Sequence, residues 1–225
     1  MKKCLSVVIP CFNEEPRVLT CVARVLSEEV VEEVIIVNDG SADSTGEILR
    51  SIDDPRLVII DHDVNRGKGA ALKTGFSRAS SNFVIIQDAD LEQDPSDYSR
   101  LLTPLFEGSA DVVYGTRFLK KKRQSDQQFS HYWANRILTF LSNRKTGLRL
   151  TDMETGYKVF RNEVIRSFDI KEQRFGVEPE ITAKLAKGNW KIVEVPVSYK
   201  PRNIEAGKKI GWKDGFRAVL CILKY

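Results

Sequence analysis

Three acidic clusters carry the residue types most suited to chemistry: Asn13-Glu14-Glu15, Asn38-Asp39-Gly40 and Asp88-Ala89-Asp90-Leu91-Glu92. Each follows a short run rich in Val and Ile, so each falls where a buried strand should end. Alternation along the third cluster would turn Asp88, Asp90 and Glu92 in one direction, and hard oxygen ligands at that spacing suit Mg²⁺ or Mn²⁺ shared with a diphosphate. A lone Asp-x-Asp more simply caps a helix or solvates a loop, as Asp43 and Asp94 are expected to do. What separates Asp88 and Asp90 from that case is their position at the close of a buried run, with two other acidic strand ends in register. Arg66-Gly67-Lys68-Gly69 precedes a helical pattern, but GxxxxGK[ST] is absent, as is any GxGxxG after a strand, so the segment is no P-loop.

The elements that must position these groups alternate. Leu5–Pro10, Glu33–Asn38, Leu57–Asp61, Phe83–Asp88 and Asp111–Tyr114 read as strands. Pro16–Glu29, Asp43–Ser51, Gly69–Ala79 and Pro95–Glu107 read as helices, with Asp43 and Ser96 as caps and Gly108 as a stop. This order implies an α/β fold with a doubly wound, mostly parallel sheet, whose ligands gather at the carboxyl ends of the strands. After Tyr114 the alternation fails. A polar stretch from Arg117 to Gln128, with Lys120-Lys121-Lys122-Arg123 at its centre, reads as a loop, followed by a helix from about His131 to Asn143. A helix near Pro179–Ala186, a strand at Trp190–Val197, an irregular basic segment at Lys200–Lys209 and a final helix at Trp212–Tyr225 complete the chain.

With 225 residues, 42% hydrophobic and 29% charged, the sequence is long enough for one sizeable core and is not of a disordered type. Its apolar runs are far shorter than the roughly 20 residues of a membrane-spanning helix. Met1-Lys2-Lys3 before Leu5–Ile9 reads as the approach to a first strand rather than a signal peptide, because Pro10, Asn13, Glu14 and Glu15 interrupt the apolar stretch. Cys4, Cys11, Cys21 and Cys221 have no CxxC spacing, so reduced thiols in a cytoplasmic protein are expected. The net charge of +4 conceals an asymmetry: residues 1–116 hold 11 Lys/Arg against 20 Asp/Glu, and residues 117–225 hold 24 against 11, giving −9 and +13. The basic half is expected to meet an anion, and no recognised nucleic-acid motif accompanies it.

Val7-Val8-Ile9-Pro10-Cys11-Phe12-Asn13-Glu14, Val37-Asn38-Asp39-Gly40-Ser41, Asn65-Arg66-Gly67-Lys68-Gly69 and Gln87-Asp88-Ala89-Asp90-Leu91-Glu92 resemble the family 2 glycosyltransferases. The likeness is greatest to polyprenyl-phosphate and dolichyl-phosphate mannose and glucose synthases. It extends through Asp152-Met153-Glu154-Thr155-Gly156-Tyr157-Lys158 and the segment from Arg202 to Lys209. Phe12, Cys11 and Lys208 depart from the usual residues of that pattern, and Glu92 stands where some members use Gln. The resemblance implies a GT-A domain over residues 1–210, divided into a nucleotide-sugar half at 1–116 and an acceptor half at 117–210.

It further implies that Pro10, Phe12, Glu14, Val37 and Asp39 line the pocket for base and ribose, and that Asp88, Ala89, Asp90 and Glu92 face the metal and diphosphate. Arg117 would grip a lipid phosphate, with His131, Asn135 and Arg136 nearby. Arg202 and Lys208 would close over the donor diphosphate, and Asp152 would position the acceptor or sugar hydroxyls. The implied reaction moves a hexose, with inversion, from GDP-mannose or UDP-glucose to an isoprenoid phosphate. A saccharide or glycolipid hydroxyl as acceptor would instead require Asp152 or Glu178 as base. A sugar nucleotidyltransferase would carry a glycine-rich triphosphate loop after strand one, and Pro10-Cys11-Phe12-Asn13-Glu14 is not one.

Residues 211–225 are expected to form a separate amphipathic helix. Trp212, Phe216, Val219, Leu220 and Leu223 fall on one side, flanked by Lys213, Arg217 and Lys224. Such a helix would lie in a membrane interface and hold the protein at the cytoplasmic face, or else its apolar stripe packs on the sheet or on a partner.

Overall fold

The computed structural model describes residues 3–118, 126–174, 176–201 and 212–225, with backbone alone for 126–131 and 212–214. Seven strands are present among the described residues: β1 (Leu5–Cys11), β2 (Val31–Asn38), β3 (Leu57–Asp61), β4 (Phe83–Ile86), β5 (Val112–Thr116), β6 (Lys158–Arg161) and β7 (Ile192–Pro196). They form one sheet in the order β3-β2-β1-β4-β6-β5-β7. The Val/Ile runs serve two cores at once. Val7 and Ile9 face one side with Cys21, Val25 and Leu101, while Val8 faces the other with Leu72, Phe76 and Ile181. Helices α1 (Val18–Leu26) and α4 (Tyr98–Phe106) contribute to the first core; α3 (Lys68–Arg78), α7 (Val177–Lys187) and α8 (Trp212–Lys224) contribute to the second. The short helices α2 (Thr45–Arg50) and α6 (Asn162–Arg166) and the long α5 (Asp126–Thr146) complete the fold.

The pairing directions decide where chemistry can occur. β1 runs parallel to β2 and β4, β2 to β3, and β5 to β7, while β6 is antiparallel to both β4 and β5. Strands β1, β2, β4, β5 and β7 therefore end on one edge, and β6 begins there. Inserting one reversed strand delivers the residues before it, 151–157, to the same edge as the acidic strand ends.

Several expectations need correction. β6 and α6 are not visible in the sequence pattern, because a four-residue strand containing a buried Lys158 has too few residues to show a period. β4 stops at Ile86, two residues before Asp88, and Leu91 adopts φ 63°, so no pleat runs through Asp88–Glu92 and the expected alternation does not exist. Asp94, not Ser96, caps the turn before α4 by accepting the Ser96 N–H at 3.2 Å. The helix expected from His131 starts by Asp126 and runs to Thr146. Gly108 does end α4, with φ 70°.

The last helix has apolar residues on two sides. Ala218, Cys221 and Ile222 are buried, whereas Phe216, Leu220 and Leu223 are 62%, 50% and 66% exposed. Lys224 binds Glu172 at 2.8 Å and Lys145 Nζ donates to the Leu223 carbonyl at 3.3 Å, so α8 is docked on the domain and still shows an apolar row outward.

Candidate active site

The first two strand ends build a wall rather than a set of open carboxylates. Pro10 and Val37 are paired across β1 and β2, and Val37 is fully buried behind that pairing. Glu14 is buried, bound to Arg17 at 3.3 Å, and its backbone N–H donates to Thr45 Oγ1 at 2.9 Å; Phe12 beside it is half-buried. Asp39 is 3% exposed. Its Oδ1 accepts the Arg66 N–H at 3.0 Å and contacts His62 Nδ1 at 2.7 Å, while Oδ2 accepts the Gly67 N–H at 2.7 Å. Two of roughly four lone-pair sites on this carboxylate thus organise the Asn65–Gly67 turn, and a third meets His62. His62 Nε2 continues the chain to Thr74 Oγ1 at 3.0 Å. His62 escaped the sequence reading, since a single histidine carries no pattern. Gly69 is required for packing: its N–H donates to the Gln173 carbonyl at 2.8 Å, and a Cβ there would collide with the Glu172 carbonyl.

The turn held by Asp39 places Lys68 at the start of α3, beneath the third acidic cluster. Lys68 Nζ bridges Asp88 Oδ1 and Glu178 Oε1, each at 2.9 Å. Burial disfavours the ammonium, but the Asp88 and then the Glu178 carboxylates outweigh it and raise its pKa. In the segment Arg66–Gly69 the Lys68 cation is thus held between two carboxylates, and the Arg66 and Gly67 N–H groups are bound to Asp39. Gly156 lies against Asp88 so closely that a Cβ would meet its Oδ2. Asp90 Oδ1 accepts the Glu92 N–H at 3.0 Å, and Glu92 Oε2 accepts the Tyr199 hydroxyl at 2.6 Å. Beneath them Gln87 Oε1 accepts both Tyr98 and Tyr157 hydroxyls at 2.7 Å, and its amide donates to the Asp88 carbonyl at 3.0 Å.

Among the described residues no three His, Cys, Asp or Glu side chains gather as a metal cage. The expected triad of Asp88, Asp90 and Glu92 is not assembled, because the chain leaves the strand before it reaches them. Two carboxylates with hard oxygen donors remain at this turn, which fits a cation that takes its other ligands from a diphosphate and water.

Arg117 and Asp152, expected to serve separate roles, are one unit. Arg117 Nε and Nη2 donate to Asp152 Oδ2 and Oδ1, both at 2.7 Å, and the Arg117 backbone N–H adds a third bond at 3.1 Å. Asn135 Nδ2 donates to Asp152 Oδ1 at 2.9 Å, and Arg136 Nη1 to the Thr151 carbonyl at 3.2 Å. Burial alone would raise the Asp152 carboxyl, but the Arg117 guanidinium holds it below the usual carboxylate range. The guanidinium also lies 5.1 Å from the Tyr199 ring centre. Arg202, Lys208 and Lys209 lie outside the described residues, as does the side chain of His131.

Between these two groups sit two residues the sequence reading gave no role. Burial first, and the charge of Glu178 second, push the Glu154 carboxyl up to about 8. Lys158, 1% exposed, is pushed down to about 8 by burial; its Nζ donates to the Thr155 carbonyl and lies 4.9 Å from the Tyr114 ring centre. Glu154 lies in the segment before β6 and Lys158 is the first residue of β6, the short antiparallel strand that leaves no periodic signal in the sequence.

The sequence profile of Glycosyl transferase family 2 matches residues 6–168. A UDP-N-acetylglucosamine–dolichyl-phosphate N-acetylglucosaminyltransferase of Methanococcus voltae is 24% identical over 97% of this chain and 96% of its own length. An undecaprenyl-phosphate mannosyltransferase of Micrococcus luteus is 26% identical over 91% of this chain and 86% of its own. Among solved structures, glucosyl-3-phosphoglycerate synthase from Mycobacterium tuberculosis, in complex with Mn²⁺, UDP and glucosyl-3-phosphoglycerate, superposes with a TM-score of 0.75 at 19% identity. That match covers 99% of this chain and 79% of the synthase.

Proposed function

The chain belongs to glycosyl transferase family 2 and has the GT-A fold, and on that premise we propose that it transfers a hexose, with inversion, from a nucleotide diphosphate sugar to a polyprenyl or dolichyl phosphate. The observation that carries the reading is that the Asp88–Asp90 turn after β4 and the Arg117–Asp152 pair after β5 stand on one sheet edge, joined through residues 151–157. Asp88 and Asp90 would hold a divalent cation, which would supply charge stabilisation to the departing diphosphate. Arg117 orients the acceptor phosphate, and Asp152 holds the guanidinium in place from a fully buried position. The wall of Pro10, Phe12, Glu14, Val37 and Asp39 borders the nucleoside. Arg202 and Lys208 are proposed, from the family pattern alone, to close over the diphosphate.

A phosphate acceptor also suits what the site offers as a base. A phosphate monoester is already largely ionised near neutrality and attacks without deprotonation. Asp152, locked to Arg117 with its pKa lowered, is a poor proton acceptor for an alcohol. The relatives that act on dolichyl and undecaprenyl phosphate support the same acceptor class. Incubation of the protein with Mn²⁺, nucleotide sugars and undecaprenyl phosphate should release nucleoside diphosphate and give a sugar joined through a phosphodiester, read by mass spectrometry. A sugar joined to an alcohol oxygen, or release of pyrophosphate, would overturn the reading.

We place the enzyme on the cytoplasmic leaflet. No described helix is long and apolar enough to cross a membrane. Trp133, Ile137 and Phe140 on α5, and Phe216, Leu220 and Leu223 on α8, are each half or more exposed at intervals of four and three residues. The two helices pack together around a groove of about 290 Å³ lined by Leu141, Val219, Ile222, Leu223, Arg144 and Lys145. Apolar rows beside cations suit a bilayer with anionic headgroups. Replacing Phe216, Leu220 and Leu223 by Ser should abolish sedimentation with phosphatidylglycerol vesicles at low salt and leave nucleotide binding intact, because none of the three is buried. Equal capture of both proteins would remove the interface role from α8.

A further inference from the structure

Four buried side-chain polar atoms lack a hydrogen-bond partner among the described residues: Ser81 Oγ, Glu154 Oε1, Thr155 Oγ1 and Glu178 Oε2. Three of the four are on residues grouped around Lys158. Glu154 feels the charge of Glu178, Lys158 feels both, and Lys158 is tied to the Thr155 carbonyl. Buried polar atoms are nearly always paired, so a cluster of orphans points to groups that arrive with a ligand. The surroundings give its place. Lys68 joins Glu178 to Asp88, and Glu154 lies two residues from Asp152, which holds Arg117. The orphans thus lie between the residues assigned to the donor diphosphate and those assigned to the acceptor, where the group in transit must sit.

We propose that Glu154 is a specificity-determining residue which, with Thr155 and Glu178, hydrogen-bonds hydroxyls of the sugar being transferred. This rests on the donor half of the proposed function and is independent of the acceptor. A sugar hydroxyl both donates and accepts, and the three orphans can answer in both senses. Glu178 accepts, Thr155 does either, and Glu154, held as a neutral acid by burial and the neighbouring carboxylate, does either as well. The cations cannot substitute: Lys68 is spent on Asp88 and Glu178, and Lys158 on a carbonyl and the Tyr114 ring. A site built to bond a hydroxyl rejects the analogue that lacks it, because its own buried groups are then stranded.

The test compares Glu154→Met and Glu154→Gln with the wild type, using a hexose nucleotide and its four monodeoxy analogues. Nucleoside diphosphate release at limiting donor is measured, which reports hydrolysis as well as transfer. Glu154→Met should lower kcat/KM about 10²-fold with the parent hexose and no more than about threefold with the one deoxy donor that lacks the partner hydroxyl. Glu154→Gln, which keeps a donor and an acceptor, should recover most of the loss. Affinity for the nucleoside diphosphate alone should stay within about twofold, and the melting temperature of Glu154→Met should match or exceed the wild type, since a stranded polar group has been removed. Equal losses across all donors, a parallel loss of nucleoside diphosphate binding, or no loss would overturn the assignment. A wild type that binds no nucleotide sugar would overturn the donor reading itself.

Discussion

Asp90→Asn should reduce nucleoside diphosphate release about 10²-fold or more while leaving the fold intact, as expected for loss of a key electrostatic partner in a preorganised site. The substitution isolates charge from shape. Asp90 Oδ1 accepts the Glu92 N–H at 3.0 Å, and an asparagine oxygen can accept the same bond, so the turn at Leu91 survives. Lys68 keeps both of its partners, because those are Asp88 and Glu178. The melting temperature should therefore shift by no more than a few degrees. What is lost is one of the two hard oxygens proposed to hold a divalent cation against the diphosphate, and raising Mn²⁺ should recover part of the activity. The wild type treated with EDTA should be equally impaired. Wild-type turnover in EDTA, or an Asp90→Asn enzyme as fast as its parent, would remove the metal from the reaction.

The sequence exposes the first half of this molecule well because its strands are buried on both faces, and a run such as Val34-Ile35-Ile36-Val37 has few other uses. Five strands and the shared edge were legible in that way. The site was legible as residue types but not as geometry. Asp88 and Asp90 stand at the expected edge, yet the pleat that would have aligned Glu92 with them ends at Ile86. Arg117 and Asp152 were both recognised as functional, and nothing in a spacing of 35 residues announces that they are bidentate partners. That pairing depends on β6 lying antiparallel between β4 and β5, and a strand of four residues with a buried lysine leaves no periodic trace. Glu154 was hidden by the same cause.

Removing Arg117 should affect the fold before it affects the chemistry. Asp152 is fully buried, and its two oxygens accept two bonds from the guanidinium. Arg117→Ala would leave that carboxylate with the backbone N–H of position 117 and the Asn135 amide as donors and no cation, a change of the kind that costs about 3–5 kcal/mol. At roughly 2–4 °C per kcal/mol for a chain of this size, melting should fall by about 6–20 °C. The paired variant Arg117→Leu with Asp152→Asn should be less destabilised than Arg117→Ala, since no buried charge is stranded. A single loss no larger than the double would mean that the pair is not buried as described. The functional part needs a protein that still folds, and Arg117→Lys provides it. Lysine restores a charge beside Asp152 but not the planar fork, so it can satisfy the carboxylate or reach toward a phosphate, not both in the geometry Arg117 allows. KM for the polyprenyl phosphate should rise at least about tenfold in Arg117→Lys, with nucleoside diphosphate affinity unchanged. An unchanged acceptor KM would confine Arg117 to holding Asp152, and the acceptor phosphate would then need a different cation on the same edge.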